Sequence, residues 1–183
     1  TTRKWMNSGD KKQFGIRKNY DLICSKRRAN VGNLYMGLLH YPMRNRRGDI
    51  VTTSMTSMDV HDIARTGKTF GVSQYYVITP LKTQREIARR LRGYWTEQER
   101  TRENTNRGEA LELVSVLDKL DEGILDISDR EESEPLLVGT SARDMGKRRM
   151  SYEEATESLK GSSDPMFLLF GTGWGMSDEL TDR

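Results

Sequence analysis

MFLLFGTGWGM, residues 166 to 176, decides how the rest of the chain is read. Five apolar residues in a row have the length and composition of a strand buried on both faces. They run straight into a loop with glycine at every second position, and GMSDELTDR then has the pattern of a helix start. Glycines let a backbone approach a ligand closely, and their amides can line an anion or adenosine pocket. Two familiar versions of such a loop fail here. The dinucleotide fingerprint needs GxGxxG, whereas the spacing is GxGxG, and no GK[ST] exists for a phosphate loop. Taken alone, the loop is equally well a tight turn between a strand and a helix.

Working outward, strands and helices alternate. LYMGLLHY ends at Pro42 and QYYVIT at Pro80, both as short buried strands. PLLVGT, from Pro135, is a third strand of this kind, and ALELVSVL reads as a fourth. Between them, SMDVHDIARTGKTFG reads as a helix capped by Ser57 or Asp59, with Val60, Ile63 and Ala64 on one face and a stop at Gly71. A charged helix is predicted over residues 83–99, with Ile87, Leu91 and Tyr94 at helical spacing. RTRENTNRG reads as a polar loop and DKLDEGILDISDR as an amphipathic helix. SYEEATESLK carries a capping box from Ser151 to Glu154. This alternation predicts an α/β fold, a mainly parallel sheet with helices on both faces. Ligands of such sheets lie beyond the C-terminal strand ends, so the loops after Tyr41, Thr79, Thr140 and Phe170 are the ones that matter.

At 183 residues the chain has room for one domain with a real core. No apolar run is long enough to span a bilayer, and the N-terminus is too charged for a signal peptide. A single cysteine, Cys24, excludes an internal disulfide and fits a reducing compartment such as the cytoplasm. Two histidines and no CxxC argue against a protein-bound metal. The net charge of +3 conceals an uneven spread: residues 1–33 carry nine Lys/Arg against two Asp/Glu. That basic arm, expected to be disordered, precedes a mildly acidic body over residues 34–183. A polyanionic partner is the functional reading, and a solvated tail the structural one.

Two further clusters carry possible chemistry. Asp59, His61, Asp62 and Arg65 crowd the first turns of the helix after Ser57. Arg65 can hold a phosphate or orient an acceptor; equally, the acids can cap the helix and pair with Arg65. In GTSARDMGKRR, Thr140 and Ser141 offer hydroxyls at a strand end. Arg143, Lys147, Arg148 and Arg149 follow as possible phosphate contacts.

Together these residues resemble an α/β-knot RNA methyltransferase of the SPOUT superfamily, in particular a small bacterial family of S-adenosylmethionine-dependent RNA methyltransferases. The likeness rests on LYMGLLHYPMRNRRGDIVTTSMTSMDVHDIAR, FGVSQYYVITPLKTQ, NRGEALELV, GTSAR and MFLLFGTGWGM, spread over residues 34–176. A weaker likeness to the SpoU branch sets Asp59 where that branch has Asn and Arg65 at its motif Arg, with Thr69-Phe70-Gly71 at the motif's end. The Glu of that branch's glycine loop has no counterpart, since Gly173 and Trp174 occupy its region.

The resemblance implies a trefoil-knotted sheet, one of the rare exceptions to unthreaded connections. It implies S-adenosylmethionine held by Thr140, Ser141, Phe170, Gly171, Thr172, Gly173 and Gly175. It implies Arg65 at the RNA or acceptor, Asp59 as a lesser proton-handling residue, and a homodimer with tRNA or rRNA across it. Knot enzymes add a third segment after the glycine loop. The chain as read stops at Arg183, so an incomplete knot and weak cofactor binding are expected. The rival readings are a non-catalytic RNA-binding module, an inactive gene fragment and, least favoured, a nicotinamide oxidoreductase.

Overall fold

The computed structural model describes residues 32–98, 105–143 and 149–182. Almost all of the basic arm lies outside them, as do Lys147 and Arg148. In chain order, β1 (Leu34–Leu39) is followed by a small hairpin, β2 (Met43–Arg44) and β3 (Ile50–Val51). Next come α1 (Ser57–Phe70), β4 (Gln74–Ile78), α2 (Lys82–Gln98), α3 (Thr105–Glu112) and β5 (Val114–Leu117). The rest is α4 (Leu120–Glu131), β6 (Leu136–Gly139), α5 (Tyr152–Gly161), β7 (Met166–Gly171) and the short α6 (Asp178–Thr181).

Five strands make one parallel sheet in the order β5-β4-β1-β7-β6, as the alternating pattern predicts. The last long strand is therefore interior, between the central β1 and the edge strand β6. β7 lies against β1 along its whole length, from Leu34 opposite Met166 to Leu39 opposite Gly171.

Period-two alternation sorts the strand residues into two cores. Met36, Leu38, Tyr75 and Val77 face Val60 and Ala64 of α1, Ala88 of α2 and Leu111 of α3. Tyr35, Leu39, Tyr76, Ile78, Phe167 and Leu169 face Leu120 and Ile127 of α4 and Leu180 of α6. Each side is anchored by buried aromatic rings; Tyr76 stacks on Tyr35 and meets Phe167 edge-on. Burial and the Asp126 carboxylate hold the Tyr76 hydroxyl well above its usual pKa, so it donates to Asp126 at 2.6 Å.

β6, expected from PLLVGT to be buried, is half-exposed because it ends the sheet, with Leu136 42% exposed. Three other local expectations change. The N-cap of α1 is Thr56, one residue before Ser57 and three before Asp59, and Asp59 closes the capping box instead of starting it. ALELV is not a strand from its start. Gly108 through Glu112 finish α3, and only Val114–Leu117 pair with β4, because Ala110 and Leu111 are needed on a helical face against the first core. The polar loop predicted from RTRENTNRG has its last residues in that helix, and residues 101–104 lie outside the described part. The third change is in α2, which forms where predicted but buries Ala88 rather than the Ile87–Tyr94 stripe. Ile87 is 47% exposed and Tyr94 55%. Gly71 stops α1 in the left-handed region, and Ser151–Glu154 cap α5 from both sides, as expected.

Candidate functional site at the C-terminal edge of the sheet

Because β1 and β7 are adjacent and parallel, the loops that leave them must meet at one edge. The segment after β1 turns at Tyr41-Pro42, makes the β2–β3 hairpin and reaches Thr56. It lies along the glycine loop and is stitched to it by backbone bonds. Arg44 N donates to Gly175 O at 2.8 Å, Trp174 N to Arg44 O at 3.1 Å, and Ser177 N to Pro42 O at 3.1 Å. Met43 bridges Met176, and Arg44 pairs with Asp178 at the start of α6.

The glycines have specific reasons. Gly173 and Gly175 have φ of +61 and +100, which side-chain-bearing residues rarely adopt. Gly171 is different: a Cβ there would stand 2.7 Å from Met176 Cγ. It is small so that Met176 can fold back over the end of β7. Thr172 then turns inward. Its amide donates to Met43 Sδ, and its hydroxyl donates to the Leu39 carbonyl at 2.9 Å.

That last bond fixes the direction of a longer chain. Since Thr172 Oγ1 donates to a carbonyl, it accepts from Thr53 Oγ1, and Thr53 Oγ1 in turn accepts from His40 Nδ1 at 3.0 Å. The chain of bonds therefore puts a proton on His40 Nδ1, and burial is what favours the neutral ring. Burial depresses its pKa, against a smaller upward pull from Asp59. Among the described residues, His40 Nε2 and Arg44 Nε are the two buried side-chain atoms with no hydrogen-bond partner. Both belong to the segment that carries the glycine loop.

The third loop comes from β6. Thr140 is pinned to β7, its amide and hydroxyl both donating to Leu169 O at 2.9 and 3.1 Å. Ser141 Oγ accepts from Arg143 N. The Arg143 guanidinium reaches the glycine loop, 3.2 Å from where a Gly175 Cβ would be. Thus Thr140, Ser141, Arg143, Phe170, Gly171, Thr172, Gly173 and Gly175, read separately from sequence, meet at one edge. Phe170 turns to the first core. Within the glycine loop and the start of the loop after β6, the groups left open apart from Trp174 and Arg143 are small residues and main chain, with polar atoms suited to a nucleoside. The two orphan nitrogens lie in the supporting segment. The residues present therefore fit an adenosine-bearing cofactor.

The α1 cluster is built otherwise. Asp59 accepts from Thr56 N at 2.7 Å, so its carboxylate serves the cap. Arg65 is exposed, and its ion-pair partner is Asp62, 3.8 Å away and also exposed. His61 meets Trp95 of α2 edge-on. Arg149 is exposed just before the Ser151 cap of α5.

Sequence reading missed two features. One is the His40–Thr53–Thr172 relay, whose bonded members lie 13 and 119 residues apart and share no motif. The other is a cavity of about 250 Å³ at the same sheet edge, toward β4 and β5. Tyr41, Pro42, Ile78 and Leu120 give it apolar walls, and Asp118, Asp121 and Glu179 supply carboxylates. Asp118 is matched by Arg85 at 2.9 Å. Among the described residues no helix is long and apolar enough to cross a membrane, and no group of three or more His, Cys, Asp or Glu is placed to hold a metal ion.

Comparison with known proteins gives the family. Residues 33–183 match the family model described as SAM-dependent RNA methyltransferase. A tRNA (guanine-N(1)-)-methyltransferase of Oleidesulfovibrio alaskensis is 37% identical over 151 residues, 82% of this chain and 35% of that protein. One of the same name from Nitratidesulfovibrio vulgaris is 36% identical over 150 residues, 82% of this chain and 34% of that protein. An uncharacterized protein of Aquifex aeolicus is 36% identical over 148 residues, 81% of this chain and 72% of that protein. The chain thus spans about a third of the two named relatives and most of the third. It belongs to the SAM-dependent RNA methyltransferase family.

Proposed function

We propose that this chain forms the methyl-donor site of an RNA methyltransferase acting on tRNA or rRNA, with S-adenosylmethionine as donor. The observation that carries the reading is the meeting of the loops after β1, β7 and β6 at a parallel sheet's C-terminal edge, where open α/β sheets bind ligands. The names of two relatives favour tRNA over rRNA.

The donor supplies a methyl group already activated on a sulfonium. The protein's part is placement and proton handling. Thr140, Ser141, Phe170, Gly171, Thr172, Gly173 and Gly175 hold the donor. Arg65, exposed and lightly paired, contacts the acceptor nucleotide or its phosphate. Arg143, Lys147, Arg148 and Arg149 meet the RNA backbone. Asp59 acts on the acceptor only indirectly, by fixing the start of α1. The trefoil knot, the homodimer and a cytoplasmic location belong to the same proposal. Exposed Met58 and Phe70 on α1, with Ile87 and Tyr94 on α2, support self-association.

Incubating the protein with methyl-labelled S-adenosylmethionine and separate tRNA and rRNA pools tests this. Nucleoside analysis of the product should show label in one methylated nucleoside of tRNA. Label in neither pool, although the protein binds the donor, would count against the RNA reading.

A further inference from the structure

Trp174 is the one large side chain that the glycine loop turns outward. We propose that it is a stacking platform for an unpaired RNA base, rimmed by Arg46, Arg47 and Arg143, so that the substrate is presented as a loop or flipped nucleotide rather than as a duplex. The inference rests on the methyltransferase reading and names the form of its substrate.

Three observations carry it. Trp174 is 55% exposed, although a ring of this size usually finds cover in a folded protein. Its backbone is nonetheless held firmly: its amide donates to Arg44 O, and the amide of the next residue, Gly175, donates to Thr172 O, both at 3.1 Å. A rigid loop with an outward aromatic ring offers contact area at little ordering cost. Second, the strand to which Trp174 is bonded leads directly into the hairpin turn that bears Arg46 and Arg47, both exposed. Asn45 fixes that turn, its side-chain oxygen accepting from Arg47 N at 2.8 Å and Asp49 N at 3.0 Å.

Third, the charges on the segments bonded to this loop are cationic on balance: Arg44, Arg46, Arg47 and Arg143 stand against Asp49, Asp178 and Glu179, and Arg44 is matched by Asp178. Among the described residues no ion pair neutralises Arg46, Arg47 or the Arg143 guanidinium beside Gly175. An aromatic face within a cationic rim matches a base attached to a phosphate chain. A paired base shows its face only to its neighbours in the stack. RNA is therefore read this way where it is unpaired or where the base has been turned out.

The test measures binding of a labelled RNA hairpin with an unpaired loop, and of a fully paired duplex of the same length, to the wild type, Trp174→Ala and Trp174→Phe. S-adenosylhomocysteine is titrated into each protein in parallel. The wild type should prefer the hairpin. Trp174→Ala should lose about five- to hundredfold in hairpin affinity, as expected for one stacked base. Trp174→Phe should keep most of it, and the nucleoside affinity of all three should agree within about twofold, because the ring turns out of a loop whose main chain and small residues hold the donor. An Arg46→Gln, Arg47→Gln double variant should weaken hairpin and duplex alike and flatten the salt dependence.

Equal hairpin binding by the wild type and Trp174→Ala would overturn the proposal. So would a parallel loss of S-adenosylhomocysteine in Trp174→Ala, which would place the ring on the donor instead. A wild type that binds S-adenosylhomocysteine but neither RNA also overturns it and leaves the donor site standing. A wild type that binds the hairpin through Trp174 but no S-adenosylhomocysteine would sink the methyltransferase reading and keep the platform.

Discussion

The glycine loop and the first turns of α1 stand out about equally in the sequence, yet the structure treats them in opposite ways. Contacts of the glycine loop cross more than a hundred residues of chain: Thr172 to Leu39 and Thr53, Trp174 and Gly175 to Arg44. Contacts of the α1 cluster are mostly local: Asp59 to Thr56, and Arg65 to Asp62. One region is built into the fold. The other is a helix surface that needs its own cap and little else. A residue whose partners are distant cannot change without moving the site, whereas Arg65 can be changed with little effect on the fold. Function at the first region is therefore entangled with stability, and at the second it is separable.

The strongest attempt to break this contrast is Gly171→Val. Its Cβ would meet Met176 Cγ at 2.7 Å, so overpacking of about 1–3 kcal/mol is expected, with donor affinity lost alongside. Thermal melts and nucleoside titration should fall together; unchanged values would mean that Met176 does not close the loop. Thr172→Val removes the donor to Leu39 O and the acceptor for Thr53, a cost of about 1–3 kcal/mol that Thr172→Ser should largely restore.

A smaller effect comes through His40. Burial holds its folded pKa below the unfolded value, so between the two the unfolded chain binds the extra proton. The contribution is complete above about pH 6.5 and is lost as pH falls toward the folded pKa. Urea unfolding at pH 7.5 and 5.5 should show lower stability at 5.5, with a weaker dependence in His40→Gln. A wild type equally stable at both would refute the neutral, buried assignment. The smallest stability effect belongs to Arg65→Ala, within about 0.5 kcal/mol because its ion pair is exposed. Methyl transfer should nevertheless drop at least tenfold if Arg65 meets the acceptor, and intact transfer would remove it from the site.

Much of this was legible beforehand because it is local. Short apolar runs ended by Pro42 and Pro80 gave β1 and β4, and serine with glutamate three residues on gave the α5 cap. The glycine spacing marked a loop that must bend. What escaped has a common cause. Ile87 and Tyr94 have the spacing of a buried stripe, but only tertiary packing decides that Ala88 faces inward. Ala110 and Leu111 look like strand residues until α3 needs them. Thr53 carries no local signal at all. It matters because β1 and β7 end side by side, and that adjacency is a property of strand order rather than of any segment.

The central claim is that the glycine loop, with the loop after β6, holds the methyl donor, while α1 does not. Calorimetric titration of S-adenosylmethionine and S-adenosylhomocysteine into the wild type and Arg65→Ala, with NAD as control, tests it most directly. Binding of both methyl-cycle ligands, equal in the two proteins, with none for NAD, is the predicted result. Binding of NAD, or loss of S-adenosylhomocysteine binding in a folded Arg65→Ala protein, would contradict it.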